Sequence, residues 1–176
     1  MVRIPKVSLV AALVVALVLV AGAIGTLLFV SSGIYDIGAD DHHTKLTLTL
    51  IEQLRDRSIE KRARDIHVPA LEDSARIASG AERYASLCVS CHLAPGVMKS
   101  AVRPGLYPHP PSLAQEAVID PKKAFWIVKH GIKMSAMPAW GTSLDDSAIW
   151  DIVAFVRQLP NMSPETYQQL SRTRAQ

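Results

Sequence analysis

Cys88 and Cys91 are the only cysteines in the chain, and His92 directly follows the second, in the stretch Cys88-Val89-Ser90-Cys91-His92. Two thiols and an imidazole at that spacing support four kinds of chemistry. A redox dithiol of the thioredoxin kind needs a βαβ setting, and the surrounding sequence has no strand pattern to build one. A zinc site needs a second pair of Cys or His at finger-like spacing, and no further cysteine exists. A disulfide across two intervening residues closes a tiny, strained loop.

The fourth chemistry fits. C-x-x-C-H is the attachment pattern of c-type haem. Thiols a helical turn apart can each form a thioether with one vinyl group of the porphyrin edge, and the next residue brings its imidazole under the iron. Cys88 and Cys91 are therefore the expected covalent anchors of one haem c, and His92 the expected proximal iron ligand. A low-spin carrier needs a sixth ligand, and soft thioether sulfur favours the reduced iron. The methionines beyond His92 are Met98, Met134, Met137 and Met162. Met98 is too close in sequence to cross to the distal face, and Met162 lies beyond the last expected helix. Met137 precedes Pro138-Ala139-Trp140, where the proline stiffens the loop that would hold sulfur on iron. Met137 is the expected distal ligand, and Met134 suits a flexible core filler.

Helices must place these groups. Asp73 and Ser74 can cap a helix running to Leu87. Asp120-Pro121 is a cap followed by proline at the first helical position, and Gly131 is that helix's stop. Ser143, Asp145 and Asp146 start a last helix that runs to Leu159 and ends at Pro160. Between these lie a Pro-rich loop with Pro95, Pro104, Pro108, Pro110 and Pro111, and the loop "IKMSAMPAWG". A domain this small has little core of its own, and a covalently held flat apolar group would supply one.

Upstream, Leu46, Leu50, Ile51, Leu54, Ile59, Ala63 and Ile66 recur near a helical period among charged residues. They predict an amphipathic helix over about 45–65, ending before Pro69. Its basic face suits anionic lipid headgroups or a partner, and its apolar stripe equally suits packing on the following domain. "KLTLTL" leaves the first turn ambiguous with a short strand. His42 and His43, beside Asp40 and Asp41, read as a solvated stretch rather than a metal site, because adjacent side chains diverge.

Val7 to Val30 carries no charge. As a helix this run is about 36 Å long, enough to cross a bilayer with some tilt. Ala21-Gly22-Ala23 resembles a signal-peptidase site, but the apolar run continues well past it, so an uncleaved anchor is expected. Arg3 and Lys6 before the run place the N-terminus in the cytoplasm and the rest on the outer side. A net charge of +3, dispersed along the chain, gives no footprint for nucleic acid. No G-x-S-x-G elbow, phosphate loop or paired carboxylate site points to catalysis.

Taken together, residues from about Asp73 to Leu159 resemble the class I cytochrome c family, especially its bacterial membrane-anchored monohaem members. "GAERY" is similar to the family's first helix, with Gly80 and Tyr84 at the crossing with the last. "CVSCH" matches the haem motif. "GIKMSAMPAW" is similar to the axial-methionine loop, with Met137 in the ligand position, and "IWDIVAFVRQL" to the C-terminal helix, with Phe155 at the crossing.

The resemblance implies an all-α cytochrome c fold wrapped around one haem, preceded here by a transmembrane helix and the amphipathic linker helix. The expected organisation is an anchor over 1–30, a linker over 31–70, a monohaem domain over 71–160 and a tail over 161–176. It also implies a proline carbonyl on the second nitrogen of the proximal imidazole. Pro95, Pro104, Pro110 and Pro111 compete, and Pro104 is preferred. Lys122, Lys123, Lys129 and Lys133 lie near the methionine loop, where lysines would steer acidic redox partners. His109 reads as an exposed loop histidine, and His130 as charge at a helix C-terminus.

The expected function is a one-electron carrier between respiratory or dehydrogenase partners, in the periplasm at the outer face of the cytoplasmic membrane. The alternative is a gas or peroxide sensor, or small haem enzyme, with a labile sixth ligand.

Overall fold

The first element follows directly from composition. In the computed structural model, which describes residues 6–117 and 120–172, helix α1 runs Lys6–Ser32. Within it, Leu9–Ser32 is 24 residues long with a mean hydropathy of 2.8, long and apolar enough to cross a membrane. Leucines and valines face outward along its length, Leu17 being 69 % exposed. Arg3, counted above for orientation, lies outside the described residues, as do residues 173–176. The chain divides into two compact units, Met1–Asp41 and His42–Gln176.

The second unit is all-helical among the described residues, with no strand. Its helices start where short polar side chains meet free backbone N–H groups. Asp73 accepts from Ala75 N at 2.8 Å and opens α3 (Ser74–Leu87). Asp120 accepts from Lys122 N at 2.9 Å and opens α5 (Pro121–His130). Asp145 accepts from Ala148 N at 2.8 Å and opens α6 (Asp146–Val156). Each such cap is worth about 1 kcal/mol. The haem motif folds as a four-residue helix, α4 (Val89–His92). α6 ends three residues short of the expected Leu159, and Leu159–Asn161 continues as a 3-10 turn. Helix α7 (Pro164–Arg172) then forms within the stretch read as a tail, and seats Tyr167 in the core at 5 % exposure.

α6 organises the core because it is apolar on two faces, the pattern of a buried helix. Ile152, Phe155 and Val156 join Tyr84, Cys88 and Tyr167 in one cluster. Ile149, Trp150 and Val153 join Leu71 and Phe125 in a second, with Phe125 stacked on Trp150 at 4.2 Å. α3 crosses α6 at Gly80. A Cβ there would run into the Asp151 carbonyl and lie 2.8 Å from Phe155 Cβ, so only glycine lets the backbones meet. Beside the crossing, Arg76 and Ser79 hold the Asp151 carboxylate at 2.9 and 2.8 Å.

Helix α2 (Lys45–Ala63) is helical from its first turn, with Thr44 as its cap, which resolves the strand ambiguity. It packs on α5, and Lys122 Nζ donates to the Arg64 carbonyl at 3.0 Å. Its apolar residues do not form the single stripe expected. Ile59 and Ala63 are buried, whereas Leu46, Leu50 and Leu54 are 71, 57 and 71 % exposed. At 100° per residue, Leu54 and Ile59 lie about 140° apart on the helix.

Candidate functional site

The two thiols and the imidazole sit on one short turn that continues from α3. Cys88 N donates to the Tyr84 carbonyl at 2.9 Å, closing α3, and His92 N donates to the Cys88 carbonyl at 2.9 Å, closing α4. Leu93 then adopts φ 60, which breaks the helix directly after His92. That strained residue is buried, and its carbonyl accepts from the Tyr84 hydroxyl at 2.6 Å. Burial keeps the Tyr84 phenol protonated by pushing its pKa well up, so it remains a donor.

His92 is held at both ends by one loop. Its backbone carbonyl accepts from Leu113 N at 3.1 Å, and its ring Nδ1 lies 3.0 Å from the Pro111 carbonyl. A carbonyl only accepts, so Nδ1 carries the proton and the Nε2 lone pair is left for another partner. The proline is Pro111, not the preferred Pro104. Pro104 lies in the 3-10 turn Arg103–Gly105, while residues 111–113 run alongside His92. Burial lowers the His92 pKa, the Pro111 contact opposes this, and the nearby Arg103 charge lowers it further. A neutral imidazole is the form that ligates a metal.

The thiols do not have the character of a redox pair. Cys88 is 8 % exposed, and burial, with a smaller contribution from Cys91, pushes its pKa up to about 12. A redox or nucleophilic cysteine needs a lowered pKa and access to solvent. Both cysteines are free thiols here.

Met137 is positioned by the end of α5. Gly131, at φ 65, stops the helix, and a Cβ on it would lie 2.6 Å from the Met137 carbonyl. Ile132 N donates to that carbonyl at 3.2 Å, and Met137 N donates to Ser135 Oγ at 3.2 Å. The loop is thus closed on itself by backbone and hydroxyl, and the methionine in it is half-buried. Met134 is 82 % exposed, at odds with its expected role as core filler. Met162 fills that role instead, packed on the Tyr84 and Phe155 cluster, and Met98 is 62 % exposed.

Sequence reasoning missed Arg103. Its Nη2 donates to the Pro110 carbonyl at 2.8 Å, while its Nε is buried with no partner among the described residues. An orphaned guanidinium N–H whose charge is felt at His92 is suited to an acidic group of a ligand. The residues on this turn suit a haem: two thiols, an oriented neutral imidazole and, beside them, a buried Arg103 Nε–H without a partner that a propionate could take, while the Met137 backbone is fixed in its own loop at the end of α5. The available signal was a single arginine in a Pro-rich loop otherwise free of charge from Val102 to Leu113.

The remaining histidines and lysines are placed as follows. His42 stacks on Tyr107 at 4.4 Å and His43 meets the same ring edge-on at 5.6 Å, so this pair is engaged with the Pro-rich loop. Among the described residues no three His, Cys, Asp or Glu side chains converge as a metal-holding group. His109 is exposed, and His130 tilts against Trp126 at 4.9 Å. Lys129 pairs with Asp146 at 2.6 Å and Lys122 is bonded to Arg64, leaving Lys123 and Lys133 as the exposed members of the expected lysine group.

Residues 75–156 match the family described as cytochrome C oxidase, cbb3-type, subunit III. Comparison with curated proteins and with solved structures found no match. The matched span begins in the first turn of α3 and ends with α6, and so contains the haem motif, the Pro111 loop and the methionine loop.

Proposed function

Taking as premise that residues 75–156 form a class I c-type cytochrome domain, a domain of haem-based electron transfer, we propose that this chain is a one-electron carrier with one covalently bound haem c. Cys88 and Cys91 would form the thioethers, and His92 and Met137 would ligate the iron from its two sides. The haem supplies the iron that accepts and releases the electron. The observation that carries the axial assignment is the His92 Nδ1 contact with the Pro111 carbonyl, which fixes the tautomer and leaves Nε2 as the ligand atom. The closed Ile132–Met137 turn supports Met137, since a sulfur held by its own loop resists displacement. Arg103 Nε would neutralise a propionate next to His92.

The proposed location is the periplasmic face of the cytoplasmic membrane, with α1 as a single-span anchor. Its length and hydropathy support this, together with Lys6 and Arg3 before the apolar run. Partners would be redox proteins. The description of the matched family names an oxidase subunit, which favours a second reading in which the chain is the fixed cytochrome subunit of a terminal oxidase. Co-purification of the full chain from native membranes in mild detergent separates the two: a fixed subunit brings a stoichiometric oxidase with it, and a free carrier does not.

The axial assignment is tested by adding carbon monoxide to the reduced protein and recording visible absorption. No spectral change is expected. A rapid shift at low carbon monoxide would overturn the His92/Met137 pair and favour a sensor or small haem enzyme. Covalency is tested by acidic organic extraction, in which the haem is expected to stay with the protein.

A further inference from the structure

Leu46, Leu50 and Leu54 fall on one edge of α2, four residues apart, and all three face solvent. Three leucines left outward on a single helix edge form an apolar strip that a domain of this size gains nothing by exposing. Arg57 and Lys61 continue the same edge toward the C-terminus, within the same arc of about 80° at 100° per residue. The edge therefore changes from leucine to basic residue along its length. The opposite side of α2 is committed, because Ile59 and Ala63 are buried where the helix packs on α5.

We infer that this edge of α2 lies in the surface of an anionic bilayer, with Leu46, Leu50 and Leu54 in the acyl boundary and Arg57 and Lys61 at the phosphates. The inference rests on the proposal that α1 is a membrane anchor. Residues 33–44 alone separate α1 from α2. Twelve residues span at most about 40 Å when fully extended. The strip is thus tethered to a lipid surface within reach, and association becomes an intramolecular step with no translational cost to meet. A soluble partner would have to meet that cost. Leucine burial with lysine and arginine at the headgroups is also the composition of interfacial helices. Because the buried side of α2 is packed on α5, and α5 leads into the Met137 loop, membrane contact at α2 would hold the haem domain in a set orientation to the bilayer. That would limit which partners reach its redox edge.

The test uses the full haem-loaded chain in vesicles of phosphatidylcholine with a minority of phosphatidylglycerol, and in native membranes. A benzophenone-bearing amino acid is placed in turn at Leu50, at Val18 within α1, and at Asp56, which is exposed on another side of α2. After illumination, adducts are identified by mass. The inference expects lipid adducts at position 50 several-fold above those at 56, in both preparations, with lipid adducts at 18. Lipid adducts at 18 with none at 50, or only protein cross-links at 50, would overturn it while leaving the anchor intact. No lipid adduct at 18 would remove the anchor, and this inference with it. The leucines are exposed, so replacing them does not disturb the fold.

Discussion

The Tyr84 hydroxyl donates to the Leu93 carbonyl at 2.6 Å, tying the last turn of α3 to the residue directly after the haem motif. Both residues are buried, and Leu93 holds a backbone conformation with φ 60 that leucine rarely adopts. The hydroxyl satisfies a carbonyl that would otherwise be orphaned at the point where the chain turns away from His92. Tyr84→Phe keeps the ring and removes only this bond. The folded state is expected to lose about 1–3 kcal/mol, the cost of leaving a buried acceptor unpaired. Denaturant unfolding of the haem-loaded protein, with wild type alongside, measures it; equal midpoints would mean the bond contributes nothing.

At the α3–α6 crossing, Gly80→Ala is expected to destabilise by about 3 kcal/mol, the upper part of the range for overpacking. The new methyl meets the Asp151 backbone carbonyl and Phe155, and backbone cannot move aside as a flexible side chain can. Thermal unfolding reads this directly. Gly105→Ala, where nothing lies within 4 Å of the added carbon, serves as the control and is expected to leave stability near that of wild type.

Met137→Ala is expected to open the sixth position without detaching haem, because Cys88, Cys91 and His92 lie on a different segment. Reduced protein should then bind carbon monoxide rapidly, and the reduction potential should fall as the thioether sulfur is lost. Met134→Ala, at a side chain 82 % exposed, should change neither property. A carbon monoxide response in the Met134 variant equal to that of the Met137 variant would reverse the assignment.

Lys123 and Lys133 are the exposed lysines of the group near the methionine loop, whereas Lys129 is engaged by Asp146. Replacing Lys123 and Lys133 with Glu is expected to slow electron transfer to an acidic partner and to flatten the dependence of the rate on ionic strength. Stopped-flow reduction across a salt series gives both quantities. An unchanged slope would remove these lysines from any docking role.

Before haem attachment, the two thiols should differ in reactivity. Cys88 is buried, with a pKa pushed up to about 12, so it is a protonated thiol at neutral pH. Alkylation of haem-free chain should therefore modify Cys91 first, and Cys88 should catch up as pH rises toward that value. The sign carries over to stability. A thiol pKa raised by folding favours the folded state fully below the ordinary thiol range, and that contribution is lost as pH climbs from there toward about 12. Peptide mapping by mass after timed alkylation decides the order of reaction.

Local chemistry was legible in the linear sequence wherever one short segment settles the matter. C-x-x-C-H needs only its own helical turn, so Cys88, Cys91 and His92 could be proposed as a haem-attachment group without knowing the fold, and the structure places all three on one short turn. Asp73, Asp120 and Asp145 cap helices through bonds to residues two or three positions on, and the expected starts match the observed ones. The length and apolarity of α1 are sums over a single run. The crossing at Gly80 was found through family resemblance rather than periodicity, since nothing local shows which backbone will approach.

Tertiary structure alone decided the pairings between distant segments. Four prolines competed for the His92 ring with Pro104 preferred, and the fold selects Pro111 instead because residues 111–113 run beside His92, with Leu113 N on its carbonyl. Arg103 became notable only when packing buried its Nε without a partner. The helical period of α2 described its apolar residues correctly but not their separation into a buried side and an exposed edge, because periodicity does not record where a neighbouring helix stops. A sequence lists which groups are present and what each can do within a turn or two. Which groups meet across the fold depends on how α6 fills the space between α3 and α5, and that is settled by the packing of all three helices together.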